Sequence, residues 1–230
     1  MAEAGGGEGD AGLRARIAGV VLAAGAGTRF GGPKALATHP DGTPWLATAV
    51  RALADAGCSP VLVVLGAGAD AAEAMLAARP EADRAVVVRA DGWADGMSAS
   101  LRAALGAAAA LDPPPVALAV ALAVVPVDVP DLDAATVRRV LDAADVDPTT
   151  LRQAVFRGRP GHPALIGRDH WPPLAAAVRG DAGARPYLAA HAAQLVEAAD
   201  LSTGADVDRH PGASPDPPQR GGTCPDAGSP

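Results

Sequence analysis

The stretch Ile17-Ala-Gly-Val-Val-Leu-Ala-Ala-Gly-Ala-Gly-Thr-Arg-Phe-Gly-Gly-Pro-Lys34 joins a short apolar run to a glycine-rich loop that ends in a lysine. The part from Ile17 to Leu22 is typical of a buried strand. Three further apolar runs follow at 61–65, 86–89 and 118–127, each before an alanine- and leucine-rich stretch with helical spacing. This alternation of strands and helices predicts an α/β fold with a parallel sheet covered on both faces.

Helices are predicted between and after these strands, at about 43–56, 70–78, 98–110 and 133–144. For the first helix, Thr43 is the predicted N-cap, Pro44 the first helical residue and Gly57 the stop. After Asp147 the pattern loosens: strands are predicted at 153–156, 163–166 and 194–197, with short helices near Leu174 and Arg185. We expect this later half to add an antiparallel edge to the sheet, or a lid beside it.

Composition and charge limit the classes of function. Of the 230 residues, 49% are hydrophobic and 3% aromatic, which excludes wholesale disorder and predicts a core of small aliphatic side chains. The net charge of -7 argues against a nucleic-acid partner or a membrane surface. No apolar run is long enough for a membrane span, and the N-terminus lacks the layout of a signal peptide.

The cysteines and the two ends of the chain predict the redox state of the protein and the bounds of its domain. Cys58 and Cys224 are too few for a disulfide framework or a thiolate zinc site, so a reduced, cytoplasmic protein is expected. Residues 1–14 are predicted to be a flexible extension and 204–230 a disordered tail rich in proline and glycine. One domain is expected over 15–203.

The glycine-rich loop is the strongest chemical feature of the sequence. It leaves the carboxyl end of the first strand, where open α/β sheets bind ligands, and Gly25 and Gly27 allow backbone amides to approach phosphate oxygens. Arg29 and Lys34 add positive charge, which suits a nucleoside triphosphate. A Walker loop does not fit, a dinucleotide fingerprint fits poorly because Phe30 replaces its third small residue, and a chemically idle surface loop is the remaining alternative.

A second candidate lies at the end of the longest apolar strand. Asp128 follows that strand directly, and a carboxylate at the end of a buried parallel strand is costly unless it is paired or metal-bound. It is therefore the leading ligand for Mg²⁺, which prefers one or two carboxylates together with phosphate oxygens and water. The alternative, an aspartate that caps the next turn, fits Asp131 or Asp133 better.

These residues resemble the signature of the MobA-like nucleotidyltransferases, and most closely the molybdenum cofactor cytidylyltransferase branch. The similar segments are Leu22-Ala23-Ala24-Gly25, Thr28-Arg29-Phe30-Gly31 and Lys34. The resemblance implies a three-layer, Rossmann-like nucleotide-diphospho-sugar transferase fold, with a mostly parallel sheet and an antiparallel edge. It implies catalytic roles for Arg29, Lys34 and Asp128. The nucleotide-binding residues that it implies are Leu22, Ala23, Ala24, Gly25, Gly27, Thr28, Gly66 and Ser98.

Further segments are similar to motifs of that branch. Residues 92–101 resemble its Gly-Met-Ser-x-Ser-Leu stretch near the nucleotide, although Ser98 also suits a plain helix cap. Residues 158–163 and 180–185 resemble two motifs that would line the acceptor side through His162, Asp181 and Arg185. His162 fits a structural role equally well, and Asp181 alternatively only orients Arg185.

One segment departs from the family. The common ending Asp-Ile-Asp-Thr-Pro-Glu-Asp corresponds here to residues 200–206, in which Ser202 replaces the second aspartate and Gly204 replaces proline. Asp200 is then the remaining second ligand for Mg²⁺. Alternatively, metal affinity and activity are weakened.

The resemblance implies transfer of CMP from CTP to molybdopterin or another phosphorylated small molecule, with release of pyrophosphate and transient contact with a molybdoenzyme or its maturation factor. The attacking phosphate is already an anion, so no general base is required. Two alternatives remain. One is a degenerate nucleotide-binding protein without activity, suggested by Ser202 and Gly204. The other is an NAD(P)-binding oxidoreductase, suggested by the turn that begins at Gly66.

Overall fold

The computed structural model describes residues 17–110 and 119–209. The expected extension at 1–14, the beginning of the fourth predicted strand at Leu118, Cys224 and the expected tail beyond residue 209 lie outside these residues. None of the helices formed by the described residues is long and apolar enough to cross a membrane.

Within this part of the chain, seven strands form one sheet. They are β1 (Ile17–Ala23), β2 (Val61–Leu65), β3 (Ala85–Arg89), β4 (Ala121–Pro126), β5 (Leu151–Phe156), β6 (Arg159–Gly167) and β7 (Gln194–Glu197), in the order β3-β2-β1-β4-β6-β5-β7. The helices are α1 (Trp45–Asp55), α2 (Ala69–Ala77), α3 (Met97–Ala110), α4 (Ala134–Leu141), α5 (Trp171–Ala177) and α6 (Arg185–Ala190).

The strand directions confirm the predicted fold class. β1 to β4 run parallel, and the antiparallel pairs occur in the half built by the later segments, where β6 pairs with both β4 and β5. β6 lies inside the sheet, because β5 and β7 continue beyond it as a parallel pair. β6 is also longer than the predicted strand at 163–166.

Two apolar layers cover the two faces of the sheet, as the two-sided apolar strands predict. Successive β1 side chains alternate between the layers: Ile17 and Val21 join one, Ala18 and Val20 the other. The first layer contains α1, α2 and α4, and the second contains α3, α5 and α6. The architecture is therefore three-layered, α/β/α.

The start of α1 differs from the prediction. The helix begins at Trp45, Pro44 occupies the N-cap position, and no side chain caps it. Thr43 instead directs its backbone N–H to the Asp41 carboxylate at 2.9 Å, in a tight turn before the helix. The predicted stop is confirmed, since α1 ends at Asp55 and Gly57 adopts a φ of 99°.

The sheet brings the ends of β1 and β4 together. Leu22 is paired with Pro126 in the parallel register, and the Val127 backbone N–H donates to the Leu22 carbonyl at 3.0 Å. The glycine-rich loop after β1 and the segment after β4 therefore leave the same edge of the sheet side by side.

Candidate functional site

A cavity of about 640 Å³, called here the first cavity, opens at this edge. It brings together most of the residues that the sequence predicts for nucleotide binding and catalysis. Those that line it are Leu22, Ala23, Ala24, Gly25, Gly27, Thr28, Arg29, Lys34 and Asp128, and Asp181 joins them from a distant segment.

The glycine-rich loop forms a tight turn around Gly27. The backbone N–H groups of Phe30, Gly31 and Gly32 all donate to the Gly27 carbonyl, at 2.9, 2.9 and 3.1 Å. A Cβ atom at Gly27 would lie 1.9 Å from the Gly32 carbonyl oxygen, so a side chain there is incompatible with this turn. Gly25, by contrast, has nothing within 4 Å of a built Cβ and lines open space in the cavity.

Lys34, the single lysine of the chain, lies between two carboxylates. Its Nζ atom is 2.7 Å from Oδ2 of Asp128 and 3.3 Å from Oδ1 of Asp208. The Lys34 and Asp128 side chains are 16% and 20% exposed, whereas Asp208 is 63% exposed. Burial by itself lowers the pKa of Lys34, but the hydrogen bonds and charges of Asp128 and Asp208 outweigh burial and raise that pKa above its ordinary value.

Asp208 is a site residue that sequence reasoning missed. It belongs to a segment that the composition assigned to the tail, yet the Val207 backbone N–H donates to the Asp128 carbonyl at 2.9 Å. The signal was present: Asp206-Val207-Asp208 repeats the Asp-x-Asp pattern of the family's common ending, six residues beyond the assigned position. With this register, the departures at Ser202 and Gly204 no longer remove the second aspartate.

Asp200, predicted as the second metal ligand, has another partner. Its two carboxylate oxygens accept hydrogen bonds from the Arg139 guanidinium at 3.2 and 3.1 Å, and this interaction lowers the pKa of Asp200. Asp200 does not line the first cavity, where Asp208 stands beside Asp128.

Two predicted nucleotide-binding residues, Gly66 after β2 and Ser98 after β3, do not line the first cavity but lie behind its wall. A Cβ atom at Gly66 would come within 2.6 Å of the Ala24 carbonyl oxygen and the Trp93 side chain, so Gly66 supports two residues that line the cavity. Ser98 is fully buried; its backbone N–H donates to the Gly180 carbonyl at 2.9 Å, and its hydroxyl has no partner among the described residues. The serine that lines the cavity is Ser100.

The three predicted acceptor-side residues do not lie together. Asp181 lines the first cavity, Arg185 lines a second cavity, and His162 lines neither. Nδ1 of His162 is 3.3 Å from the Val124 carbonyl oxygen; because a carbonyl only accepts, this nitrogen carries the proton. Burial lowers the pKa of His162, while the charges of Asp128 and Asp206 oppose that shift.

The second cavity, of about 1160 Å³, lies between the β5–β6 turn and residues 199–206. Asp206 lines this cavity and Asp208 lines the first, so the short segment 206–208 lies between the two. The cavity is also lined by arginines, namely Arg157, Arg159 and Arg185.

The carboxylates at the first cavity suit a metal ion that is also bound by the phosphates of the substrate. In residues 17–110 and 119–209, no group of three or more histidine, cysteine or acidic side chains is arranged to hold a metal ion. Asp128 and Asp208 already converge on one cationic atom, Nζ of Lys34. Two carboxylates and phosphate oxygens match the ligands that Mg²⁺ prefers, so the residues present fit this ion.

Comparison with known proteins defines the class to which this fold and this site belong. Residues 19–195 match the family model of the MobA-like NTP transferase domain, and the chain belongs to this family. The resemblance drawn from the sequence is thereby confirmed.

Particular relatives carry different names. The chain is 37% identical over 202 residues to nicotine blue oxidoreductase from Paenarthrobacter nicotinovorans, covering 84% of this chain and 92% of that protein. It is similar to Rv0371c from Mycobacterium tuberculosis H37Rv, with 30% identity, a TM-score of 0.65 and coverage of 84% and 93% of the two chains. A nucleotidyl transferase from Methanothermobacter shares the fold at 24% identity and a TM-score of 0.67, covering 85% and 93% of the two chains.

Proposed function

We propose that the protein transfers a nucleoside monophosphate from a nucleoside triphosphate to a phosphorylated small molecule and releases pyrophosphate. CTP is the favoured donor and molybdopterin the favoured acceptor, both on the resemblance to the cytidylyltransferase branch. The observation that carries the proposal is the position of Lys34, 2.7 Å from Asp128, in a cavity lined by the glycine-rich loop.

The chain's own groups divide the work of binding a triphosphate. The backbone amides at 30–32 are engaged by the Gly27 carbonyl, so the loop amides before them are those that offer hydrogen bonds to phosphate oxygens. At Gly25 no side chain stands between the backbone and the cavity. Arg29 and Lys34 bring positive charge to the same space. In a partly buried site this charge lowers the free energy of the transition state more than it would in water.

The bond changes are those of a direct displacement. An oxygen of the acceptor phosphate forms a bond to the α-phosphorus of the nucleotide, and the bond from that phosphorus to the bridging oxygen breaks. Pyrophosphate leaves with the electron pair. Because the attacking oxygen is already anionic, no side chain has to remove a proton, and positioning and charge compensation supply the catalysis.

Asp128 and Asp208 are the residues that would hold Mg²⁺. A bound ion would compensate charge on the triphosphate. A structure of Rv0371c in complex with manganese supports a divalent cation in this family; it is 28% identical with a TM-score of 0.58, covering 80% of this chain and 87% of that chain.

Reduction of a small molecule by NAD(P)H is the second candidate, and the 37% identity to nicotine blue oxidoreductase favours it. The Gly66 turn that suggested it lines neither cavity and is packed against Ala24 and Trp93. A dinucleotide would therefore have to bind elsewhere than at that turn.

One set of measurements separates the two functions. The unfolding midpoint is followed with each of the four ribonucleoside triphosphates and Mg²⁺, and with NADH and NADPH. Pyrophosphate release is then measured with CTP and molybdopterin, and cofactor oxidation with nicotine blue. The proposal expects a shift with CTP and release of pyrophosphate. A response to NAD(P)H with no response to any triphosphate would overturn it.

A further inference from the structure

The second cavity is lined by arginines that have no side-chain partner in the described part of the chain. Arg157 and Arg159 flank the β5–β6 turn, and Arg185 begins α6; all three are exposed and line the cavity. Within residues 17–110 and 119–209, none of these guanidinium groups donates a hydrogen bond to, or forms an ion pair with, another side chain. Guanidinium groups placed together in a concavity repel one another unless an anion binds between them.

The carboxylates of the same cavity are, for the most part, already engaged. Asp131 accepts hydrogen bonds from the backbone N–H and hydroxyl of Thr203, at 2.7 and 2.6 Å. Asp200 is paired with Arg139, which lies outside the cavity lining. Asp131 keeps its negative charge because its partner Thr203 is neutral, so Asp131 and Asp206 stand against the three guanidinium groups and leave one positive charge of the lining without a counter-charge.

The backbone at Arg157 adds an independent observation. β5 and β6 pair up to Phe156 and Arg159, which leaves Arg157 and Gly158 as a two-residue turn. Both have positive φ, 54° and 77°, and the first position of such a turn normally holds asparagine, aspartate or glycine. An arginine there is held in an unfavourable conformation, and its backbone N–H is fixed by Glu197 Oε1 at 3.1 Å. Such strain concentrates at functional sites.

The position of the second cavity relates it to the first. Asp206 lines the second cavity and Asp208 the first, so both cavities border the segment 206–208, which Val207 fixes on Asp128. Because the two cavities share this three-residue border, a single extended ligand can contact both.

We infer that the acceptor, unlike molybdopterin with its single phosphate, carries a second anionic group, and that the second cavity binds this group through Arg157, Arg159 and Arg185. The inference rests on the proposed function for the identity of the ligand as acceptor, but the anion site itself does not. Planar guanidinium groups bind oxyanions such as phosphate or carboxylate in a bidentate manner, so the ligand class is an oxyanion at the end remote from the attacking phosphate.

Inorganic phosphate is the probe for this site. The unfolding midpoint of the full chain is measured in phosphate and in chloride of equal ionic strength, with CTP and Mg²⁺ present to fill the first cavity. The wild-type protein is expected to be stabilised by phosphate beyond the effect of chloride. This extra shift should be lost in the Arg157→Gln/Arg159→Gln double variant, and kept in Arg84→Gln. Arg84 is a matched control because it forms an exposed ion pair with Asp55 and lines neither cavity.

A second variant separates binding from folding. Arg157→Gly relieves the positive-φ strain, so its unfolding midpoint in chloride should rise, while its extra shift in phosphate should fall. An unchanged phosphate shift in both cavity variants overturns the inference, and so does an equal loss in Arg84→Gln, which would show a general effect of surface charge. Failure of the proposed function is read separately, as the absence of any CTP shift in the wild-type protein. In that case the phosphate comparison is repeated with Lys34→Ala in every variant, so that phosphate bound beside Lys34 does not contribute to the shift.

Discussion

The first and second cavities lie on either side of residues 206–208 but are built in different ways. The first is formed mainly by backbone that leaves the carboxyl ends of two buried parallel strands, and two of its charged side chains, Lys34 and Asp128, are largely buried and paired with each other. The second is formed by side chains from separate segments, and its arginines have no side-chain partner among the residues that the structure describes. A site on buried strands is fixed before any ligand arrives, whereas a site of exposed side chains becomes ordered when its ligand binds.

The largest effect is expected from Lys34→Ala, which removes the fixed charge of the first cavity. Turnover should fall about 100-fold or more, because the lost charge acts on phosphates in a partly buried site. The measurement is kcat/KM for pyrophosphate release, with far-UV circular dichroism to show an intact fold. Arg157→Gln serves as the comparison: its kcat/KM should fall less, and through a raised KM for the acceptor, because Arg157 is inferred to bind the acceptor's second anionic group. Near-normal pyrophosphate release by Lys34→Ala would contradict the assignment of the reaction to the first cavity.

Two aspartates provide a matched pair for the metal. Asp208→Asn should raise the Mg²⁺ concentration for half-maximal rate roughly tenfold, since one of two carboxylates at an open site contributes about 1–2 kcal/mol. Asp200→Asn should leave that concentration unchanged, because Asp200 is paired with Arg139. If Asp200→Asn raised this Mg²⁺ concentration and Asp208→Asn did not, Asp200 would be the second Mg²⁺ ligand, as the sequence analysis predicted.

Substitution of one glycine in each cavity tests how tightly the backbone is packed there. At Gly204, which has a φ of 62°, a Cβ would lie 2.2 Å from the Phe156 ring. Gly204→Ala should therefore lower the free energy of unfolding by about 1–3 kcal/mol. Gly25→Ala should keep the stability within about 1 kcal/mol but weaken CTP binding by about 1.5–3 kcal/mol, the cost of a lost amide–phosphate hydrogen bond. Denaturant unfolding and calorimetric titration with CTP measure the two effects. Equal stability of both variants would contradict the geometry.

The smallest expected effect is a shift in the titration of Lys34. As the chain has one lysine, selective ¹³C labelling gives a single lysine side-chain signal in the NMR spectrum. It should titrate above 10.5 in the folded protein and at lower pH in Asp128→Asn. Since the folded-state pKa is the higher one, this pair stabilises the fold fully below 10.5, and the stabilisation is lost as the pH rises through the folded value. An unchanged titration in the variant would show that Asp128 does not act on Lys34.

The two cavities also differ in how well the sequence predicts them. The first cavity was predictable because one continuous loop supplies most of it, and because the apolar strand that ends before Asp128 is visible as a pattern of residues. The second cavity was not, since it depends on β6 entering the sheet between β4 and β5, a long-range pairing without a local signal. From its composition, the segment 204–209 was predicted to belong to a disordered tail. In the structure Val207 contacts Asp128 and Asp208 contacts Lys34, and composition does not reveal such long-range contacts. At Ser98 the spacing was right for a helix start, but docking of Gly180 covers that serine and leaves Ser100 at the cavity.

The attachment of Val207 to Asp128 has a consequence for truncated forms of the protein. A stop codon after residue 205 would leave all seven strands of the sheet encoded, together with the glycine-rich loop, Lys34 and Asp128. Such a product would lack one of the two acidic groups beside the lysine. During synthesis all seven strands are therefore complete before the second of the two proposed Mg²⁺ ligands is added, and under the proposed function a truncated chain that still folds would bind the ion more weakly.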